Sequence, residues 1–330
     1  MKKKIHLFFR KPVYGKHFSL ENFYIEIFKD FIHPKFEFIF KICPVHSKGI
    51  LNRIFLVIWA FFNQGDLNHI TGDINFISIL LNKKKTINTI LDTYSLKRLK
   101  NIKKFLFYLF WIKIPINKSV FIITISNKVK KEISQLLKSE TKKINVIDLC
   151  VNKYFKKNIK KKIINIPNIL IIGTSENKNI NNILIALKNI KIKLIIVGIL
   201  SFEDKKNLKS NNIKYKNYVS LSIRDLVNQY ISSDIVLFIS KYEGFGLPII
   251  EAQSIGRAVI TSDLEPMKHV GGAGALYVDP NNIKNIKKSV KKVISDNNFR
   301  NNLIKKGYQN VKRFNKKDIL KNYLNYYEKI

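Results

Sequence analysis

Short runs of β-branched and aromatic residues alternate with longer stretches of helical periodicity along the whole chain. That pattern predicts parallel sheets joined by crossover helices, an α/β fold. In the first half the strand-like runs are residues 5–9, 36–42, 86–91, 120–125 and 144–147, with a helical stretch over 20–31 between the first two. In the second half they are residues 169–172, 194–197, 235–239 and 258–261. Between the halves, KYFKKNIKKKIINIPN (153–168) is dense in lysine and lacks apolar periodicity, as a linker or an exposed edge would. The expected organisation is an N-terminal domain over 1–155 and a C-terminal domain over 165–315. In the final stretch, 316–330, Tyr and Leu recur at helical spacing and are expected to pack back across the first domain.

A length of 330 residues suits two such domains of roughly 150 residues each. Hydrophobic residues make up 46% of the chain, enough for two cores, which excludes wholesale disorder. The net charge of +37 leaves two readings open. One is compositional, because Lys, Asn and Ile dominate every region and most lysines would simply be solvated. The other is a surface that attracts polyanions, either nucleic acid or an anionic membrane face, where each nearby lysine contributes about 1 kcal/mol. No motif of a known nucleic-acid reader is present, so no specific nucleic-acid partner is expected.

Cys43 and Cys150 lie far apart without paired spacing, which argues against a disulfide framework or zinc site and fits a reducing cytoplasm. The N-terminal MKKKIHLFF reads as a first strand, not an export signal. The longest uncharged apolar run, 54–62, falls short of the ~18 residues that a membrane-spanning helix needs. Residues 97–115, KRLKNIKKFLFYLFWIKIP, place five aromatics among six basic residues. This suits either a peripheral contact with the inner face of an anionic membrane or a helix with its aromatics buried.

The strongest local signal is SKYEGFGLPIIEAQSIGRAVITS, 240–262, which reads strand end, loop, helix, strand. Gly244 and Gly246 allow a tight turn and close backbone approach to a ligand. Pro248 suits a first helical turn. The amides of Phe245, Gly246 and Leu247 would then point out of a helix N-terminus, an arrangement that attracts phosphate. Glu243 and Glu251 flank the turn with seven residues between them. A carboxylate accepts two hydrogen bonds, so Glu251 suits two ribose hydroxyls, and Glu243 suits a sugar hydroxyl or developing positive charge. The plain alternatives are a helix-dipole partner for Glu251 and an exposed loop acid for Glu243.

The sequence E-G-F-G-L-P-x-x-E resembles the E-x7-E signature of retaining glycosyltransferases of family 4. The resemblance extends through 217–240 and 261–280 and so covers essentially the whole C-terminal domain. It implies the GT-B architecture, two Rossmann-like domains facing across a cleft with a C-terminal helix crossing back. ILIIGTSENKN, 169–179, resembles the family's first C-terminal strand and its Lys-Asn pair. By that match Gly173, Thr174, Lys178 and Val219 join Glu243, Gly244, Phe245, Gly246, Leu247 and Glu251 around the donor, with Lys178 on the diphosphate; the plain alternative for Lys178 is one more surface lysine. Thr174 stands where many relatives carry arginine. Residues 66–95 resemble a subgroup in which His-x-Thr-Gly-Asp lines the acceptor cleft, here His69 and Asp73, for which the plain alternatives are a satisfied structural histidine and a helix N-cap, respectively. A later strand ends in His-Asp, here Leu91 and Asp92.

The resemblance implies a metal-independent, retaining hexosyltransferase without a cofactor. Its catalytic set would be Glu243, Lys178 and Asp92. It would carry a sugar from a nucleotide-sugar donor to a saccharide or lipid-linked saccharide in surface polysaccharide or lipopolysaccharide synthesis. The competing readings are a non-catalytic relative, prompted by Leu91 and Thr174, an epimerase or hydrolase on the same fold, and a basic nucleic-acid-binding protein.

Overall fold

The computed structural model describes residues 1–12, 19–137, 142–159, 163 and 166–330. The chain forms two compact units, Met1–Cys150 with Lys316–Ile330, and Val151–Asn315. Among the described residues each is built on a six-stranded sheet in which every pairing is parallel.

The first sheet contains β1 (Lys3–Phe9), β2 (Phe36–Ile42), β3 (Leu67–Ile70), β4 (Thr86–Ile90), β5 (Phe121–Thr124) and β6 (Ile144–Val146), in the order β2-β1-β3-β4-β5-β6. The second contains β7 (Asn168–Ile172), β8 (Lys193–Val197), β9 (Lys214–Tyr218), β10 (Ile235–Phe238), β11 (Ala258–Ser262) and β12 (Ala275–Val278), in the order β12-β11-β10-β7-β8-β9. A strand buried on both faces can read as an unbroken apolar run, as Ile235–Phe238 does. In the second sheet the chain order reverses between β7 and β10. Open parallel sheets bind ligands at such a switch point, outside the carboxyl ends of the strands.

The stretch read as a linker or exposed edge is docked on the second unit where it is described. Phe155 is buried and meets the Tyr230 ring edge-on at 5.3 Å. Arg257 donates to the Asn158 carbonyl at 2.8 Å and to its side-chain oxygen at 2.9 Å. Residues 151–155, expected in the first domain, therefore group with the second. Residues 160–162 and 164–165 of that stretch lie outside the described residues.

The C-terminal helix, Lys316–Tyr327, belongs to the first unit. Its Tyr323 and Tyr327 are wholly buried there, and the Tyr323 hydroxyl lies 3.2 Å from that of Tyr24. Cys43 and Cys150 are free and buried, and burial pushes each thiol up to about 12. Among the described residues no helix is long and apolar enough to cross a membrane.

Candidate functional site in the second unit

At the switch point, β7 runs into Gly173, whose φ is +84°. A Cβ there would stand 2.9 Å from Lys178 Cε, so the glycine lets the lysine lie across the backbone. A short turn, Glu176–Lys178, leads into helix Ile180–Leu187 through Asn179, which is left-handed and donates to the Pro280 carbonyl at 2.6 Å. Lys178 leaves this turn toward the other strand of the switch point. Its ammonium lies 4.6 Å from the centre of the Phe238 ring, at the end of β10, and 2.6 Å from Glu243 Oε1. Asn177 ties the two loops together, donating to the Tyr242 carbonyl at 2.9 Å while its own carbonyl accepts from the Lys241 amide at 2.8 Å.

The loop after β10 reaches Gly246, whose φ of +124° favours glycine, and then helix Leu247–Ile255 with Pro248 in its first turn. Among the described residues no side chain caps this helix start, which leaves its first amides to an anion. Phe245 contributes an anchor: its ring is buried against Phe314 at 5.8 Å.

Glu251 lies further along the same helix and is partly buried. Its Oε2 accepts from the Tyr230 hydroxyl at 2.6 Å. Burial pushes its pKa up to about 7, against the opposing pull of the Tyr230 hydrogen bond and the Lys178 charge. Lys178 thus acts on both acids, one by contact and one through its field.

The raised pKa makes a prediction. In the folded state it exceeds the ordinary value of 4.5, so the stability it contributes is complete below that value and is lost as pH rises through 7. Between about pH 5 and pH 8, wild type should lose up to about 3 kcal/mol of unfolding free energy relative to Glu251→Gln. Denaturant melts of both proteins check this, and parallel pH profiles would refute it.

Thr174 donates to the Ile199 carbonyl at 2.6 Å and fills the space above Gly198, tying the ends of β7 and β8 together. It supplies no cation. Val219, just after β9, is exposed.

In the first unit His69 takes the second of its two readings, a structural histidine, and is fully buried. Its Nδ1 lies 2.7 Å from the Tyr327 hydroxyl and its Nε2 2.8 Å from Thr89 Oγ1. Both nitrogens thus have neutral partners, and burial depresses the pKa to about 3, which keeps the ring uncharged at neutral pH. Asp73 is exposed at the carboxyl end of β3, paired with Arg10, and its carbonyl accepts from Trp111 Nε1 at 2.8 Å. Asp92 accepts from the Tyr94 amide at 2.8 Å. Leu91 packs so closely on Gly72 that a Cβ there would lie 2.5 Å from it.

Tyr230, Asn177 and Phe238 join the second unit's site without having been expected there. Tyr230 sits in helix Ile223–Ser232 at an ordinary core position, and nothing in its own segment points to Glu251. Among the described residues no group of three or more His, Cys, Asp or Glu side chains could hold a metal ion.

Residues 154–310 match the family described as glycosyl transferases group 1. An O-antigen chain mannosyltransferase of Escherichia coli is 31% identical over 159 residues, covering 44% of this chain and 41% of that protein. A second O-antigen chain mannosyltransferase, from Salmonella typhimurium, is 27% identical over 200 residues, covering 57% and 54%. The chain thus spans about half the length of the curated relatives it matches.

Two solved structures align over nearly the whole of both chains. A glycosyltransferase from Rickettsia africae has a TM-score of 0.77 at 19% identity, covering 99% of this chain and 98% of that one. Anabaena HepE in complex with UDP-glucose has a TM-score of 0.78 at 14% identity, covering 99% and 100%. Two Rossmann-like units with a returning C-terminal helix therefore make this a chain of GT-B architecture, related through residues 154–310 to the group 1 glycosyl transferases.

Proposed function

We propose that the chain is a retaining glycosyltransferase that binds a nucleotide-sugar through its second unit and transfers the hexosyl group to a saccharide or lipid-linked saccharide. The observation that carries this reading is Lys178, which spans the switch point to Glu243 and acts electrostatically on Glu251 beside an uncapped helix start. In this reading the helix amides and Lys178 hold the diphosphate. Glu251 accepts the ribose hydroxyls, and Glu243 faces the sugar once Lys178 turns to phosphate.

During transfer the bond from the anomeric carbon to the phosphate oxygen breaks, and negative charge grows on the leaving diphosphate, where Lys178 stabilises it. The acceptor oxygen bonds to that carbon on the same face. Its proton passes to the departing phosphate oxygen, so no separate base is required. The O-antigen mannosyltransferases among the relatives support a surface-polysaccharide acceptor, and the UDP-glucose bound by HepE supports a nucleotide-linked hexose as donor.

The test is a thermal-shift panel of UDP- and GDP-linked hexoses, followed by product analysis with the best binder and oligosaccharide acceptors. At a hundred times its Kd the true donor should stabilise the fold by about 2.7 kcal/mol. A panel without any stabilising compound, or a donor that is only hydrolysed or epimerised, would overturn the assignment.

A further inference from the structure

The first unit carries an apolar surface that is separate from the site in the second unit. Surface helices normally turn one apolar stripe inward and a polar face outward. Helix Ile50–Phe62 is apolar on both sides. Leu56 and Ala60 face the core, while Leu51, Ile54, Phe55, Ile58 and Phe62 stand exposed, Leu51 and Phe62 by about four-fifths of their surface (82% and 78%).

Nearby, helix Asn101–Phe107 exposes Ile102, Phe105 and Leu106. Trp111 links the two: the Arg53 guanidinium of the first helix lies 4.9 Å from its ring, and Phe107 of the second stacks on it at 5.2 Å. The aromatics of 97–115 therefore divide. Phe107, Tyr108, Phe110 and Trp111 pack against the cores, and Phe105 stays outside. Scattered exposed apolar residues need no explanation, but a contiguous face of this kind marks an interaction surface.

Charge identifies the partner. No Asp or Glu occurs between Glu37 and Asp66, or between Asp92 and Glu132, so both helices lie in acid-free stretches. Lys48, Lys100, Lys103 and Lys104 are exposed within them. A second copy of the chain would bring the same cationic surface against itself, which like-charge repulsion opposes. We propose that the outer faces of helices Ile50–Phe62 and Asn101–Phe107 form one docking surface for an anionic lipid bilayer. The apolar side chains enter the headgroup boundary and the lysines meet the lipid phosphates.

Flotation of the full chain with phosphatidylcholine vesicles, with and without phosphatidylglycerol, tests this. Strong flotation with the anionic vesicles only, weakening as salt rises, is the expected result. The variant Ile54→Gln/Phe55→Gln/Ile58→Gln/Phe62→Gln should lose about a hundredfold in partitioning at an unchanged melting temperature. Lys103→Gln and Lys104→Gln should each lose about fivefold. Brominated acyl chains should quench Trp59 and Trp111 in wild type, a readout that needs no variant. The proposal fails if wild type does not float with anionic vesicles, or if the glutamine variant floats as well as wild type. It also fails if wild type is a dimer that the glutamine variant dissolves, which would assign the surface to a second copy.

Discussion

Replacing Lys178 by methionine should lower kcat/KM by two to three orders of magnitude, the loss of about 3–4 kcal/mol seen when a positioned charge-stabilising group is removed from a transition state. Methionine keeps an unbranched apolar stem against the Phe238 ring and removes only the charge that reaches Glu243. If Lys178 stabilises the departing diphosphate, the loss falls mainly on kcat, because the charge it answers is largest as the bond breaks. Steady-state kinetics with the identified donor make the measurement, with melting temperatures as the control for folding. Removing the cation also leaves the Glu243 carboxylate without this partner in a largely enclosed position, so some loss of stability accompanies the variant. A kcat/KM within threefold of wild type would remove Lys178 from the mechanism.

Glu251→Ala should weaken donor binding by on the order of a hundredfold, about 3 kcal/mol, the worth of two hydrogen bonds from ribose hydroxyls to a charged acceptor. The carboxyl already holds the Tyr230 hydroxyl through one oxygen, which orients the side chain before any nucleotide arrives. Because burial lifts its pKa to about 7, donor binding should draw the group toward its ionised form and release a proton. Affinity therefore falls as pH drops below 7. Titration calorimetry in buffers of different ionisation enthalpy reads both the affinity and the proton. Unchanged affinity in the alanine variant, with the fold intact, would place the ribose elsewhere.

Much of this site is visible in the sequence because its parts are local. The loop glycines, the proline that opens the helix and the two acids all lie within residues 243–251. The strands that carry the site also announce themselves, since burial on both faces demands unbroken apolar runs. Three strands are absent from the apolar runs. β9, KYKNY, is an edge strand with exposed side chains. β12 is the other edge and has only four residues. β3 is equally short and carries Asn68 and His69 inside the fold.

What the sequence determined by itself was the alternation of strand and helix, and the chemistry confined to one loop and the helix after it. Tertiary structure decided every role that depends on residues far apart in the chain. His69 became a neutral core residue because Thr89 and Tyr327, 20 and 258 positions away, close on its two nitrogens. Glu251 acquired its raised pKa because the surrounding core removes its water, an effect that the hydrogen bond from Tyr230, 21 positions away, only partly offsets. Hydrophobic periodicity reports which face of an element is buried. The partner that a buried polar group finds there is set by the packing of distant elements, and desolvation makes that partner decisive.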